Sequence, residues 1–142
     1  MFTTISHMFL WVRDQQEAKD FYVGKLGFEV GTDVTLEEYG GMRWLTVVAP
    51  GGLQIALSSV DLSVVHDPDG PAFLREMLAK GLGAGGILRV EDCRAAYDEL
   101  RGRGVEFSEE PTEHFYGVDA AFRDPSGNQW RVTQPAPVPA GA

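Results

Sequence analysis

Hydrophobic and polar positions alternate in several short stretches of this chain and follow a helical period in others. In Ile5–Val12, Met8, Leu10 and Val12 occupy one side while His7, Phe9 and Trp11 occupy the other, the pattern of a strand with one buried face. Ala18, Phe21, Tyr22 and Leu26 then fall at helical spacing. Asp14 precedes them as an N-cap with Glu17 three residues on, an Asp form of the capping box. Gly27 suits the left-handed residue that ends a helix. Strands are predicted near Phe28–Leu36, Arg43–Val48 and Leu53–Ser58, separated by Gly40-Gly41 and Pro50-Gly51-Gly52.

The same order returns further along. Val12-Arg-Asp through Gly24 lies over Val90-Glu-Asp through Gly102, with Val, Asp, Ala, Asp and Gly at matching places, and a one-residue gap aligns Gly27-Phe-Glu29 with Gly104-Val-Glu106. A repeat of this length marks two copies of one supersecondary unit. The second copy reads as a strand at Ile87–Val90 and a helix capped by Asp92 and carrying Cys93, Ala96, Tyr97 and Leu100. Strands follow near Val105–Ser108, Val118–Arg123 and Gln129–Gln134. Pro71–Lys80 reads as a connecting helix, and Glu109, Glu110, Glu113 and His114 are expected in a turn around Pro111. The expected organisation is a single domain over residues 1–135. Module 1 covers about residues 1–60, the connecting helix about 68–83 and module 2 about 84–135, with a flexible tail at 136–142.

Bulk composition narrows the function classes. The 142 residues are 44% hydrophobic, enough for one core. The net charge of −9 opposes nucleic-acid and anionic-membrane partners, which need clustered Lys and Arg. No apolar run reaches the roughly 20 residues of a membrane span. One cysteine and no signal-like N-terminus lead to the expectation of a soluble, cytoplasmic protein.

Two segments carry a family resemblance. The first is His7-Met-Phe-Leu-Trp-Val-Arg-Asp14 with Phe21-Tyr22 and Leu26-Gly27-Phe28; the second is Phe122-Arg-Asp124-Pro125-Ser-Gly127-Asn128. They resemble the opening and closing signatures of the glyoxalase/bleomycin-resistance/extradiol-dioxygenase (vicinal oxygen chelate) superfamily, over roughly residues 4–134. The resemblance implies an α+β fold: two βαβββ modules forming a curved eight-stranded mixed sheet around a cavity, with helices outside. It also implies a homodimer, because such folds often build their groove from two chains. One fold hosts unrelated chemistries, so it does not by itself name a reaction.

Metal-using members of that superfamily carry a ligand on the first and last strand of each module. By resemblance those positions are His7, Ala56, Gly85 and Arg131 here. Gly and Ala offer no donor and a guanidinium repels a divalent ion, so no metal and no other cofactor is expected. His66 and His114 fall in predicted loops without partners, and the Glu109–His114 run reads as a solvated acidic loop.

Strand parity places polar residues on the face opposite a continuous apolar one. Gln54, Ala56 and Ser58 oppose Leu53, Ile55 and Leu57, and Gln129, Arg131 and Thr133 oppose Trp130 and Val132. Candidate ligand-binding residues are therefore His7, Phe9, Trp11, Trp44, Gln54, Ser58, Arg89, Tyr116 and Arg131. Arg131 needs either a carboxylate of this chain or an acidic group on a ligand; Arg89 is a second candidate for an anion.

Three functions are compatible with these residues. The first is metal-independent binding of a small aromatic or heterocyclic molecule, of sequestration or resistance type. The second is a metal-independent lyase, isomerase or cyclase with His7 as base and Arg131 as electrostatic stabiliser, histidine being suited to proton transfer near neutrality. The third is a glyoxalase- or dioxygenase-type metalloenzyme with atypical ligands.

Overall fold

The computed structural model describes residues 1–61 and 67–138; His66 and the last four tail residues lie outside the described residues. Each copy of the repeat forms the expected strand, helix and three strands. In the first, β1 (His7–Val12) leads into α1 (Gln15–Lys19), which continues as a π-helical turn over Asp20–Lys25. Strands β2 (Glu29–Leu36), β3 (Met42–Val48) and β4 (Gln54–Ser59) follow, and α2 (Gly70–Ala79) connects the copies. The second copy comprises β5 (Gly85–Arg89), α3 (Cys93–Gly102), β6 (Phe107–His114), β7 (Gly117–Arg123) and β8 (Gln129–Pro135).

Local chemistry sets these boundaries. Asp14 accepts from the Glu17 amide at 2.8 Å and Asp92 from the Ala95 amide at 3.0 Å, so both repeat copies start their helix with the same cap. The copies also end alike: Gly27 and Gly104 take φ of 76° and 90°, a conformation that side chains resist. Within α1 the π turn, closed by Leu26 N–H to the Phe21 carbonyl at 3.0 Å, accompanies the burial of two consecutive aromatics, Phe21 and Tyr22.

The α+β class and the paired modules are as expected. The eight strands form two four-stranded mixed sheets, ordered β1-β4-β3-β2 and β5-β8-β7-β6. The outer strands of each copy's order remain edges, so the sheets do not close into one hydrogen-bonded surface. Strand β6 is a correction: it runs through Glu109–His114, where the sequence suggested a turn at Pro111. An edge strand tolerates a proline, and the β6–β7 register shifts between Glu109 and Thr112 beside it. His114 thus ends a strand rather than occupying a loop.

Parity predicts the buried faces well. Leu10, Val12, Ile55, Leu57, Trp130 and Val132 are all buried, whereas Met8 and Leu53, near the N-terminal ends of their strands, stay exposed outside the main cluster. The apolar faces of both sheets, together with α1 and α3, contribute to one shared core. Phe21 packs on Phe122 at 6.0 Å and Tyr22 on Trp130 at 5.9 Å, joining the first module's helix to the second module's sheet.

The Asp124–Asn128 turn locks that junction. Asp124 Oδ1 accepts the amides of Ser126, Gly127 and Asn128 at 2.9–3.0 Å, and its Oδ2 accepts the Tyr22 hydroxyl at 2.6 Å. Asn128 Nδ2 donates to the Trp11 carbonyl at 2.8 Å, and Trp130 Nε1 donates to the Tyr22 oxygen at 2.9 Å. Burial, and then the neighbouring Asp124 carboxylate, push the Tyr22 hydroxyl well above its ordinary pKa, so it stays protonated and donates. The closing signature of the sequence is therefore a staple between modules.

Candidate functional site

Because both sheets turn their apolar sides to one core, their opposite faces lie on the outside of the molecule. The sequence-predicted site residues divide between these two faces. On the first sheet, parallel pairing aligns His7 with Gln54, Phe9 with Ala56 and Trp11 with Ser58. Antiparallel pairing aligns Thr46 with Ala56, which puts Trp44 on the same face while Leu45 and Val47 enter the core.

This first face is aromatic and uncharged at its centre. Phe9 is 69% exposed, and His7, Trp11 and Trp44 are partly exposed. The His7 ring lies 5.9 Å from the Trp44 ring, and its Nδ1 pairs with Ser6 Oγ at 2.9 Å. Gln54 Oε1 accepts the Thr46 hydroxyl at 3.0 Å, and Thr46 Oγ1 accepts the Thr32 amide at 2.9 Å. Gly31 leaves room for this pair: a Cβ there would collide with Thr46 Oγ1 and lie 2.7 Å from Gln54 Oε1.

The second face is built on charge. Strand register aligns Ile87 with Arg131, Arg89 with Thr133, Asp119 with Thr133 and Glu109 with Ala121. Asp119 is only 1% exposed, yet it is fully partnered. It accepts from Arg131 Nε at 2.6 Å, Thr133 Oγ1 at 2.9 Å and the Tyr116 hydroxyl at 3.0 Å. Arg131 Nη2 also donates to Glu109 Oε2 at 2.8 Å. Burial alone would raise the Asp119 pKa, but the hydrogen bonds from Arg131, Thr133 and Tyr116 outweigh it and hold the carboxyl below the usual range. Its hydrogen bonds to the Asp119 and then the Glu109 carboxylate keep Arg131 firmly protonated.

The structure thus joins Arg131 and Tyr116 in one cluster with Asp119, and it joins His7 with Trp44. It does not bring His7 and Arg131 together within one chain. Arg89 is exposed beside Thr133 on the Arg131 face. Asp119 was missed in the sequence, although its alternation with buried Val118, Ala120 and Phe122 places it on the polar face. Its pairing with Arg131 depends on β7–β8 register, which is non-local.

Comparison with known proteins follows from this fold. A family model described as the Glyoxalase/Bleomycin resistance protein/Dioxygenase superfamily matches residues 4–132. The chain belongs to this superfamily. UcmS2 has a crystal structure that superposes with a TM-score of 0.83 at 40% identity, covering 94% of this chain and 99% of that one. TnmS3, an antibiotic binding protein from Streptomyces sp. CB03234, superposes with a TM-score of 0.70 at 30% identity, over 95% and 98% of the two chains. An uncharacterized protein of Shewanella frigidimarina (strain NCIMB 400) is 34% identical over 137 residues, 92% of this chain and 93% of the relative.

The superfamily resemblance assigns metal positions to His7, Ala56, Gly85 and Arg131. His7 is the one ligand-capable side chain among them. Ala56 is buried and has no donor, and Arg131 is a cation held by two carboxylates. At Gly85 a Cβ would fall on the main-chain carbonyl oxygen of Gln129, so the backbone itself leaves no room for a ligand side chain. Among the described residues no group of three or more His, Cys, Asp or Glu side chains is placed to hold an ion. The donor set at these positions does not fit a divalent metal.

Among the described residues no helix is long and apolar enough to cross a membrane.

Proposed function

We propose that this superfamily member is a cytoplasmic homodimer that binds a small aromatic or heterocyclic molecule without a metal, in the manner of a sequestration or resistance protein. The observation that carries the reading is the outward first face, where Phe9, Trp11, Trp44 and His7 offer flat aromatic surface at a sheet whose only ligand-capable metal position is His7. Exposed aromatic area of this kind is costly in water and valuable to a planar ligand. Support also comes from TnmS3, an antibiotic binding protein at 30% identity and of the same fold.

A single chain leaves the two candidate faces pointing outward from one core, so neither is enclosed. Setting the His7 face of one protomer against the Arg131 face of its partner makes a groove from all nine predicted residues. Twofold symmetry then gives two equivalent grooves per dimer. The enzyme reading needs His7 and Arg131 on one substrate. It is disfavoured by His7, whose Nδ1 pairs with a serine hydroxyl rather than a carboxylate, and by Arg131, whose charge is already compensated.

Tryptophan fluorescence tests the reading directly, because Trp11 and Trp44 lie on the proposed groove while Trp130 is buried in the core. Titration with a panel of planar aromatic dyes and antibiotics should give saturable quenching for at least one class. Trp44→Ala should weaken that ligand about ten-fold, the scale of one aromatic contact of about 1.4 kcal/mol. Quenching by no class of compound would contradict the proposal.

A further inference from the structure

From the sequence, Arg131 offers two opposite uses: hook for an acidic ligand, or partner to a carboxylate of its own chain. The geometry points to the second, and we infer that the groove selects uncharged aromatic ligands over carboxylates and phosphates of the same shape. This inference rests on the ligand-binding reading above and specifies the chemistry of that site.

One guanidinium meets two carboxylates, with Nε and Nη2 committed to Asp119 and Nη2 also to Glu109. Asp119 cannot swing away to make room, since it is 1% exposed and also holds Thr133 and Tyr116. An anion arriving at Arg131 would therefore approach an ion cluster whose formal charge is already −1, with Glu109 beside its path. Arg89 on the neighbouring strand brings this face to neutrality and no further. The other sheet adds no cation at the centre of its face, and the whole chain carries −9.

What Arg131 does present is a surface. Two carboxylates fix the orientation of its guanidinium, while its side chain remains 38% exposed. Ile87 and Ala121 stand beside it in register on the neighbouring strands. A planar guanidinium held at its edge by carboxylates stacks well on an aromatic face. The two sides of the groove would then sandwich one ring system, with Trp44 and Phe9 on one side and Arg131 and Ile87 on the other. Thr133 and Tyr116 mark its polar margin.

A matched pair of probes separates the possibilities: 2-naphthamide and 2-naphthoate share size and ring system and differ in charge. Titrated against the full-length protein by calorimetry at neutral pH, the amide should bind at least ten-fold more tightly than the carboxylate. Glu109→Gln removes one exposed negative charge beside Arg131 and should shrink that ratio several-fold by strengthening naphthoate. Naphthoate binding as tightly as the amide, or an unchanged ratio in the Gln variant, would overturn the inference while leaving the groove as a binding site. If neither probe binds, the groove does not hold a planar ring between Trp44 and Arg131 and this inference falls, whereas the ligand-binding reading falls only if no compound of the wider panel quenches tryptophan fluorescence.

Discussion

Asp124→Ala should lower the stability of the protein by about 3–5 kcal/mol, the range of mutations that strip a buried, multiply bonded group. The Asp124 carboxylate accepts three consecutive backbone amides, the Tyr22 hydroxyl and Asn128 Nδ2. Removing it strands donors from both modules at once, and Tyr22, Ser126 and Asn128 among them are buried. A domain of this size shifts its melting temperature by a few degrees per kcal/mol, so thermal denaturation should move down by about 10 °C or more. Asp124→Asn keeps one oxygen acceptor and should fall between Ala and the unaltered protein. A melting temperature within about 2 °C of the original for Asp124→Ala would show that the Asp124–Asn128 turn does not staple the modules.

Gly85→His should be the second large effect, and it bears on the chemistry of the site. This substitution places an imidazole at a position that the superfamily resemblance assigns to a metal ligand. Any Cβ at Gly85, however, meets the Gln129 carbonyl oxygen of the adjacent strand, so β5 and β8 must part to admit it. Overpacking that displaces backbone costs about 1–3 kcal/mol, occasionally more, and disturbs strand pairing. The variant should therefore denature at markedly lower urea concentration and still take up no divalent ion, because Ala56 and Arg131 supply no further donors. A Gly85→His protein of unaltered stability that binds zinc stoichiometrically would show that the donor set, and not the backbone, is all that separates this chain from a metal site.

Much of the architecture is legible in the sequence because it rests on local rules. The repeat, the two Asp caps at Asp14 and Asp92 and the glycines at Gly27 and Gly104 each solve a problem within a few residues of themselves. Alternation likewise assigns Leu10, Val12, Ile55, Leu57 and Val132 to the core. What was not legible depends on pairing across the chain. Pro111 and a run of glutamates look like a turn and end the predicted strand at Ser108, yet the edge position of β6 and a register shift accommodate both. The division of candidate residues between two outward faces was hidden for a related reason. Parity says which side of a strand is polar, but only the packing of Phe21 and Tyr22 against Phe122 and Trp130 says which way each sheet turns.

The site shows the same limit. Arg131 was recognisable as an arginine that needs a partner, and the resemblance placed it where metal-using relatives carry a donor. Its partners, Asp119 and Glu109, lie 12 and 22 residues away on two other strands. Local sequence offered no way to choose between them and a ligand. Once the partners are known, the residue changes from an anion hook into a fixed, charge-compensated surface.

Native mass spectrometry of protein purified without added metal or chelator reads assembly, metal content and ligand stoichiometry in one spectrum, and so separates metal-free from metal-dependent binding. The expected spectrum is that of a dimer at twice the chain mass, without a bound divalent ion, that takes up to two molecules of a planar aromatic ligand. A stoichiometric metal in each chain, with ligand uptake lost when it is chelated, would contradict metal-free binding.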